Sequence, residues 1–492
     1  MIVMKFGGSS IASAAAIQWV TEIVKSHIQE EPVVVVSAMG KTTDRLIETM
    51  KYASQGSSYS AWRRLEDLRL YHIQETQRLL STGAREFLER RIVPKFHKLH
   101  AILLELEEGG KLTPQIEDEV LSYGERLSSE IVAAAFERAG MMTRHIDSRE
   151  VILTDDQFTC ATPLYWETFA RLRRTVSLSA RDRVVVMGGF IGAAAEGATT
   201  TLGRGGSDLT ACLVGAGVAA KEIQIWTDVD GLLTCDPRVL HGGYRLRSLG
   251  YEEADEMARL GAKVLCPKSV LPAVRQQIPI VIRNSRRPEI EGTRIGPEAA
   301  RKPGVVKAIA CKTGMTVVHL IVQEPGILPS ISSGLNGLFE RNQISVDMVQ
   351  AQPDGISFAV ASSPRLPELL RRVDNSVRIS VEENSAIVSL IGDGITSETT
   401  MKRALTALLK DTGVQMVADG VSQKSIRFAV PESRLAVSVE NLHREFFRTA
   451  DPEIFAPTPE SDRSSFVARI SENRNIRPKT GWAVPKASLQ VR

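Results

Sequence analysis

Five short apolar runs limit what this chain can fold into. Residues 2–6 (IVMKF), 32–36 (PVVVV), 184–187 (VVVM), 223–226 (IQIW) and 279–282 (PIVI) are almost continuously apolar and rich in Val and Ile. Strands exposed on one face alternate polar and apolar residues, whereas strands of a parallel sheet covered on both faces do not. Helical periodicity separates the runs, first over residues 14–27. Strand–helix–strand alternation of this kind gives an α/β fold, a three-layer α/β/α sandwich around a mostly parallel sheet.

From about residue 45 to 136 the pattern is helical, with many charges between the apolar positions. This stretch reads as a solvated helical insertion that can also supply one wall of a cleft. Near residue 300 the style changes at Lys302-Pro303-Gly304. Two shorter units follow, each in the β-α-β-β-α order of ferredoxin-like domains. The boundaries read as a first domain over 1–300, a second over 313–384, a third over 385–448, and a Pro-, Ser- and Arg-rich tail over 449–492 expected to be disordered.

The bulk numbers narrow the partners. The 492 residues are 43% hydrophobic and 24% charged, with a net charge of +3. No basic field calls for nucleic acid. No apolar run approaches the ~20 residues of a membrane helix, and the start lacks the two-part pattern of a signal peptide. Cys160, Cys212, Cys235, Cys266 and Cys311 form no closely spaced pair, so reduced thiols in the cytoplasm are expected, with no zinc site.

Four motifs carry chemistry. Lys5-Phe6-Gly7-Gly8-Ser9-Ser10 ends a strand in a glycine turn. Backbone N–H groups there can cradle an anion with the Lys5 charge beside it, although an ordinary strand–turn–helix corner would look the same. Thr201-Leu202-Gly203-Arg204-Gly205-Gly206-Ser207-Asp208 is the most informative stretch. Arg204 can grip a carboxylate bidentately, Ser207 can cap the following helix, and Asp208 lies at that helix's N-terminus. Trp226-Thr227-Asp228-Val229-Asp230-Gly231, continuing to Asp236-Pro237-Arg238, leaves the end of a buried strand, where ligands sit in open α/β sheets. Gly261-Ala262-Lys263-Val264-Leu265 adds a second lysine. Gly215-Ala216-Gly217 matches a loose dinucleotide pattern but follows a helix, so it reads as a helix end.

In this order, and with Gly124-Glu125-Arg126-Leu127-Ser128, the motifs resemble the amino-acid kinase superfamily and, within it, the aspartate kinases, over about residues 1–447. The resemblance implies phosphorylation of the side-chain carboxylate of L-aspartate by ATP, the first step of the aspartate-family amino-acid pathway. Lys5 would contact the transferring phosphates, with Asp208 organising the lysines. Ser37, Thr43, Glu125, Arg204 and Ser207 would hold aspartate, with Glu125 on the ammonium and Arg204 on the α-carboxylate. Lys5, Gly7, Gly8, Ser9, Thr227, Asp228, Leu233, Arg238, Lys263 and Val264 would hold the nucleotide. Mg²⁺ would be bound chiefly by phosphates and water, so no protein ligand to a metal is expected. The two C-terminal units resemble paired ACT domains, with Ser345, Val346 and Asp347 as effector contacts, lysine or threonine as effector, and a homodimer or homotetramer as the assembly.

Cys266 and Leu233 depart from residues common in the family, His and Tyr respectively. A glutamate or acetylglutamate kinase is disfavoured by the ACT-like units, and a fused homoserine dehydrogenase by length. A catalytically dead sensor is disfavoured by the presence of Lys5, Arg204, Asp208 and Lys263 together.

Overall fold

The structure is a computed structural model. It describes residues 1–458 apart from 82, 181, 262–264, 298, 300–301, 323–327, 372–376, 410–412 and 420–423. In the first 300 residues the strands are β1 (Ile2–Phe6), β2 (Pro32–Val36), β3 (Thr143–Ile146), β4 (Leu153–Thr154), β5 (Val184–Gly188), β6 (Ile191–Ala194), β7 (Thr199–Thr201), β8 (Ile223–Thr227), β9 (Arg245–Leu246), β10 (Ser248–Leu249), β11 (Ile280–Asn284) and β12 (Thr293–Ile295). The helices are α1 (Ala14–Ser26), α2 (Thr42–Ser54), α3 (Ser58–Leu80), α4 (Ala84–Phe87), α5 (Val93–Glu107), α6 (Pro114–Arg138), α7 (Tyr165–Ser179), α8 (Gly206–Val218), α9 (Tyr251–Arg259) and α10 (Pro267–Arg275).

Eight strands form one sheet in the order β10-β12-β11-β8-β1-β2-β5-β3. All neighbours pair in parallel except β11 and β12. The period of two along each strand divides the core. Ile2, Met4, Phe6, Val34, Val36, Val184 and Val186 face a layer built from α1 to α6. Val3, Val33, Val35, Val185, Ile223, Ile225, Ile280 and Ile282 face α7 and α8. The helical stretch is therefore not the solvated insertion its charges suggested. Its apolar stripes, from Leu46 to Phe136, join α1 in covering one face of the sheet at β1, β2 and β5, and α6 alone buries 16 residues.

The remaining strands are β13 (Ala308–Val322), β14 (Val346–Gln352), β15 (Gly355–Ala361), β16 (Val377–Ile391), β17 (Met416–Asp419), β18 (Ser425–Pro431) and β19 (Phe455–Ala456). The helices are α11 (Leu328–Arg341), α12 (Leu366–Leu370), α13 (Glu398–Leu409) and α14 (Leu435–Phe446). A second sheet has the order β14-β15-β13-β16-β18-β17. The boundary expected between 384 and 385 falls inside one 15-residue strand, β16, which is antiparallel to the equally long β13. The outer parts of the two strands, Met315–Val322 against Val377–Ser385, serve the first unit. Ala308–Lys312 against Ile387–Ile391 serves the second, so the first unit is threaded between segments of the second.

The beginning of the expected disordered tail is packed. Ile454, Phe455 and Ala456 are buried, β19 pairs with β9, and Arg247 Nε donates to the Pro452 carbonyl at 2.9 Å. Three apolar residues in this segment outweigh its polar composition. Residues 459–492 lie outside the described residues. Among the described residues no helix is long and apolar enough to cross a membrane.

Candidate active site

Strand order reverses between β8 and β1, the place where open α/β sheets bind ligands beyond their carboxyl ends. Two cavities lie there. The smaller, about 270 Å³, is lined by Lys5, Gly8, Ser37, Ala38, Gly40, Thr43, Glu125, Phe190, Gly203, Gly205, Gly206, Ser207 and Asp208. It brings Lys5, Ser37, Thr43, Glu125, Ser207 and Asp208 together from five elements and their turns. Gly7 lies beside it, with the position its Cβ would take 3.9 Å from Lys5 Nζ. Gly8 is required by close approach, because a Cβ would meet the Ala38 carbonyl oxygen at 2.7 Å. Ser9 is exposed beside the turn.

Lys5 Nζ stands 2.7 Å from Asp208 Oδ1 in a largely buried ion pair, the two side chains 13% and 16% exposed. The pair joins the end of β1 to the first turn of α8. Gly205, at φ 74°, is the N-cap of α8, and no side chain caps it. Ser207 is thus not the cap that the sequence suggested. The helix begins one residue before it, because only glycine enters so tight a left-handed turn without strain. Gly206 N–H donates to the Gly203 carbonyl at 3.0 Å, and the positive end of the α8 dipole, with Ser207 and Asp208, lies at the cavity.

Glu125 projects from α6 and is 3% exposed. Its Oε1 accepts from the Ala38 backbone N–H at 3.0 Å, while the buried Oε2 has no hydrogen-bond partner among the described residues. Burial raises its pKa to about 8, against the lowering pull of the Ala38 N–H and Lys5. A buried carboxylate oxygen without a donor is stabilised by a cation or an N–H donor from a ligand.

One contributor carried no sequence signal. Asp118, about two turns before Glu125 on α6, is buried. Its Oδ2 accepts from the Thr159 and Thr201 N–H groups at 2.8 and 2.9 Å, and its Oδ1 accepts from Thr201 Oγ1 at 2.6 Å. These bonds fix β7, from which the Gly203–Ser207 loop departs. Arg204 is exposed at the tip of that loop, between Gly203 and Gly205 and outside the residues that line the cavity.

The larger cavity, about 630 Å³ and mainly apolar, is lined by Asp228, Leu233, Arg238 and Gly261, among others. Thr227, at the end of β8, donates through Oγ1 to Asp228 Oδ1 at 3.2 Å. Arg238 is paired with Asp236 at 2.5 Å. Lys263 and Val264 lie outside the described residues. The opposite wall was not legible: Ile309, Ala310 and Cys311 come from β13, and Thr458 from the final segment. Nothing local marks those residues, because the fold brings them in from beyond residue 300. Among the described residues no group of three or more His, Cys, Asp and Glu side chains could hold a metal ion.

Further away, Ser345, Val346 and Asp347 lie at the start of β14. Asp347 is held by Lys312 Nζ at 2.6 and 2.7 Å, and Ser345 Oγ donates to its Oδ2 at 3.2 Å.

Residues 1–284 match the family model described as "Amino acid kinase family". The chain is 33% identical to aspartokinase 1, chloroplastic, of Arabidopsis thaliana, over 91% of this chain and 80% of that protein. It is 30% identical to lysine-sensitive aspartokinase 3 of Escherichia coli (strain K12), over 91% and 99%. Among solved structures it is similar to E. coli aspartokinase III in complex with lysine and aspartate in the T-state, with TM-score 0.76 and 28% identity, covering 91% of this chain and 99% of that one. The same enzyme with aspartate and ADP in the R-state gives TM-score 0.73 and 28% identity over 91% and 100%. With a matched model over more than half its length and aspartokinases aligned along nearly all the described chain, this protein belongs to the amino acid kinase family, among the aspartokinases.

Proposed function

We propose that the chain transfers the γ-phosphoryl group of ATP to the side-chain carboxylate of L-aspartate, giving 4-phospho-L-aspartate and ADP. One observation carries the assignment of the smaller cavity to aspartate: the buried, unpartnered Oε2 of Glu125 across from the Lys5–Asp208 pair. A ligand with an ammonium at one end and a carboxylate at the other satisfies both ends. Glu125 takes the ammonium, Ser37, Thr43 and Ser207 take hydrogen bonds, and Arg204 closes from the rim on the α-carboxylate. The larger cavity takes the nucleotide, with Asp228, Leu233 and Arg238 in its wall, Thr227 beside Asp228, and Gly7, Gly8 and Ser9 on the phosphate side; Lys263 and Val264 are assigned to the nucleotide from the family motif alone.

The chemistry needs little beyond this. The attacking carboxylate has a reference pKa of about 3.9 and is ionised at neutral pH, so no general base is required. One of its oxygens forms a bond to the γ-phosphorus as the bond to the β,γ-bridging oxygen breaks, and that electron pair leaves with ADP. The obstacle is holding two anions in line. Lys5 offsets their charge and Asp208 fixes the ammonium of Lys5. The positive end of the α8 dipole faces the transferring group. Mg²⁺ would arrive with the nucleotide and neutralise phosphate charge, held by phosphate oxygens and water.

We also assign the β14 segment Ser345, Val346 and Asp347 to an amino-acid effector, lysine or threonine, and a homodimer or homotetramer to the assembly. Light scattering with and without each amino acid tests both. For the reaction itself, the protein is incubated with Mg-ATP, L-aspartate and hydroxylamine. Aspartate-dependent hydroxamate with stoichiometric ADP is the expected result. ADP release that ignores aspartate would overturn the assignment.

A further inference from the structure

Helix α9 packs against β16 of the second sheet and reaches the larger cavity, and two of its three buried residues are glutamates. Glu253 and Glu256 are both 3% exposed. Three residues apart, they share one face of the helix. Lys307 Nζ lies 2.8 Å from Glu253 Oε2, and Arg427 Nη2 lies 2.6 Å from Glu256 Oε2, which also accepts from Ser425 Oγ at 3.1 Å. Two buried ion pairs on one face fix both the rotation and the tilt of α9. Met257, the next residue, leaves the helix about 100° away and lines the nucleotide cavity, as does Gly261 just beyond the helix.

The second arm of Arg427 reaches elsewhere. Its Nη1 donates to the backbone carbonyl of Asp347 at 2.7 Å. The β14–β15 ladder shifts register between Val346 and Met348. A bulge of this kind leaves its extra residue out of regular pairing and re-aims it. One planar guanidinium therefore bonds a bulged carbonyl of β14 on one side and the α9 carboxylate on the other, a geometry that lysine cannot reproduce.

We propose that Arg427 is a positioning residue for the nucleotide site: through Glu256 it sets the placement of α9, and with it Met257 and Gly261, and it makes that placement depend on the bulge at Asp347. The proposal rests on the larger cavity holding the nucleotide. It adds a route by which a shift of β14 reaches that cavity without touching the Lys5, Glu125 and Asp208 cluster.

The test uses the full chain, folded state checked by circular dichroism, with calorimetric titration of Mg-ADP and of L-aspartate. The variants are Arg427→Lys, Arg427→Gln, Glu256→Gln and the Arg427→Gln/Glu256→Gln pair. Arg427→Lys keeps a charge beside Glu256 and loses the fork. It is expected to weaken Mg-ADP by about fivefold, and Arg427→Gln by about tenfold, with aspartate within about twofold of the parent. Glu256→Gln added to Arg427→Gln should add little, because the two act as one unit. If Arg427→Gln does not fold, Arg427→Lys carries the test alone. Unchanged Mg-ADP affinity in a folded variant overturns the proposal, and so does equal weakening of Mg-ADP and aspartate, the mark of general loosening. A parent chain that binds Mg-ADP but makes no hydroxamate would defeat the kinase assignment and leave this test standing. A parent that binds no Mg-ADP would overturn both.

Discussion

The two cavities differ in where their walls come from. Every residue lining the smaller one lies between Lys5 and Asp208, on β1, α2, α6, α8 and the turns after β1, β2, β5 and β7. The larger one is closed by β13 and by Thr458, both outside the segment that matches the family model. The small cavity is polar and ends on a buried ion pair, while the large one is mainly apolar. On the proposed assignment, the difference separates charge handling from nucleotide retention. The first is built wholly within the kinase sheet, and the second is shared with the sheet that would sense effectors.

The largest expected effect breaks the small cavity alone. Lys5→Ala should lower turnover by about 10²–10³-fold, the scale for removing one preorganised group opposite developing charge. Steady-state rates together with a Mg-ADP titration check it, since nucleotide affinity should fall far less than turnover.

Glu125→Gln comes next and should cost about 2 kcal/mol of aspartate affinity, the worth of a hydrogen bond to a charged group, read by aspartate titration. It also sharpens a pH argument. Burial raises the Glu125 pKa from 4.5 to about 8. It must ionise to take an ammonium, so aspartate binding to the parent should tighten as pH rises from 7 through 8 and then level. The stability of the ligand-free protein should run the other way. A raised carboxyl pKa stabilises below 4.5, and that contribution is lost as pH rises through 8. Glu125→Gln should flatten both profiles, the second measured as melting temperature against pH.

In the large cavity, Cys311→Phe places a ring on the β13 wall. It should weaken Mg-ADP by about tenfold, or 1.4 kcal/mol, and leave aspartate binding unchanged, as read by the same two titrations. The smallest effect is Thr43→Val, which removes one hydroxyl from the aspartate side. It should cost about 1 kcal/mol in aspartate affinity and nothing in Mg-ADP affinity.

The same contrast explains what could be read from the sequence. The apolar runs at 32–36, 184–187 and 223–226 are strands of the expected parallel sheet, because burial on both faces leaves no other use for them. Lys5, Ser37, Thr43, Glu125, Ser207 and Asp208 meet in one cavity because each lies in a motif at the end of such a strand or on the helix beside it. Asp118 was silent, since a carboxylate whose partners, the Thr159 and Thr201 N–H groups and the Thr201 hydroxyl, lie far along the chain looks in sequence like any helix-surface acid. The second sheet misled at the boundary between 384 and 385. Gly314 and Asn384 adopt positive φ, at 69° and 53°. They sit where β13 and β16 slip register against each other, so the left-handed residues make bulges inside long strands rather than a break between two units. The β13 wall of the nucleotide cavity followed from that continuity and was invisible without it.

If the two cavities hold different substrates of one reaction, each must respond to substitution independently of the other. Calorimetric titration of L-aspartate and of Mg-ADP into Glu125→Gln and Cys311→Phe, beside the parent, measures this in one experiment. The prediction is a crossed pattern: Glu125→Gln loses aspartate and keeps Mg-ADP, whereas Cys311→Phe loses Mg-ADP and keeps aspartate. Both ligands weakened by the same variant, or aspartate binding untouched by Glu125→Gln, would contradict it.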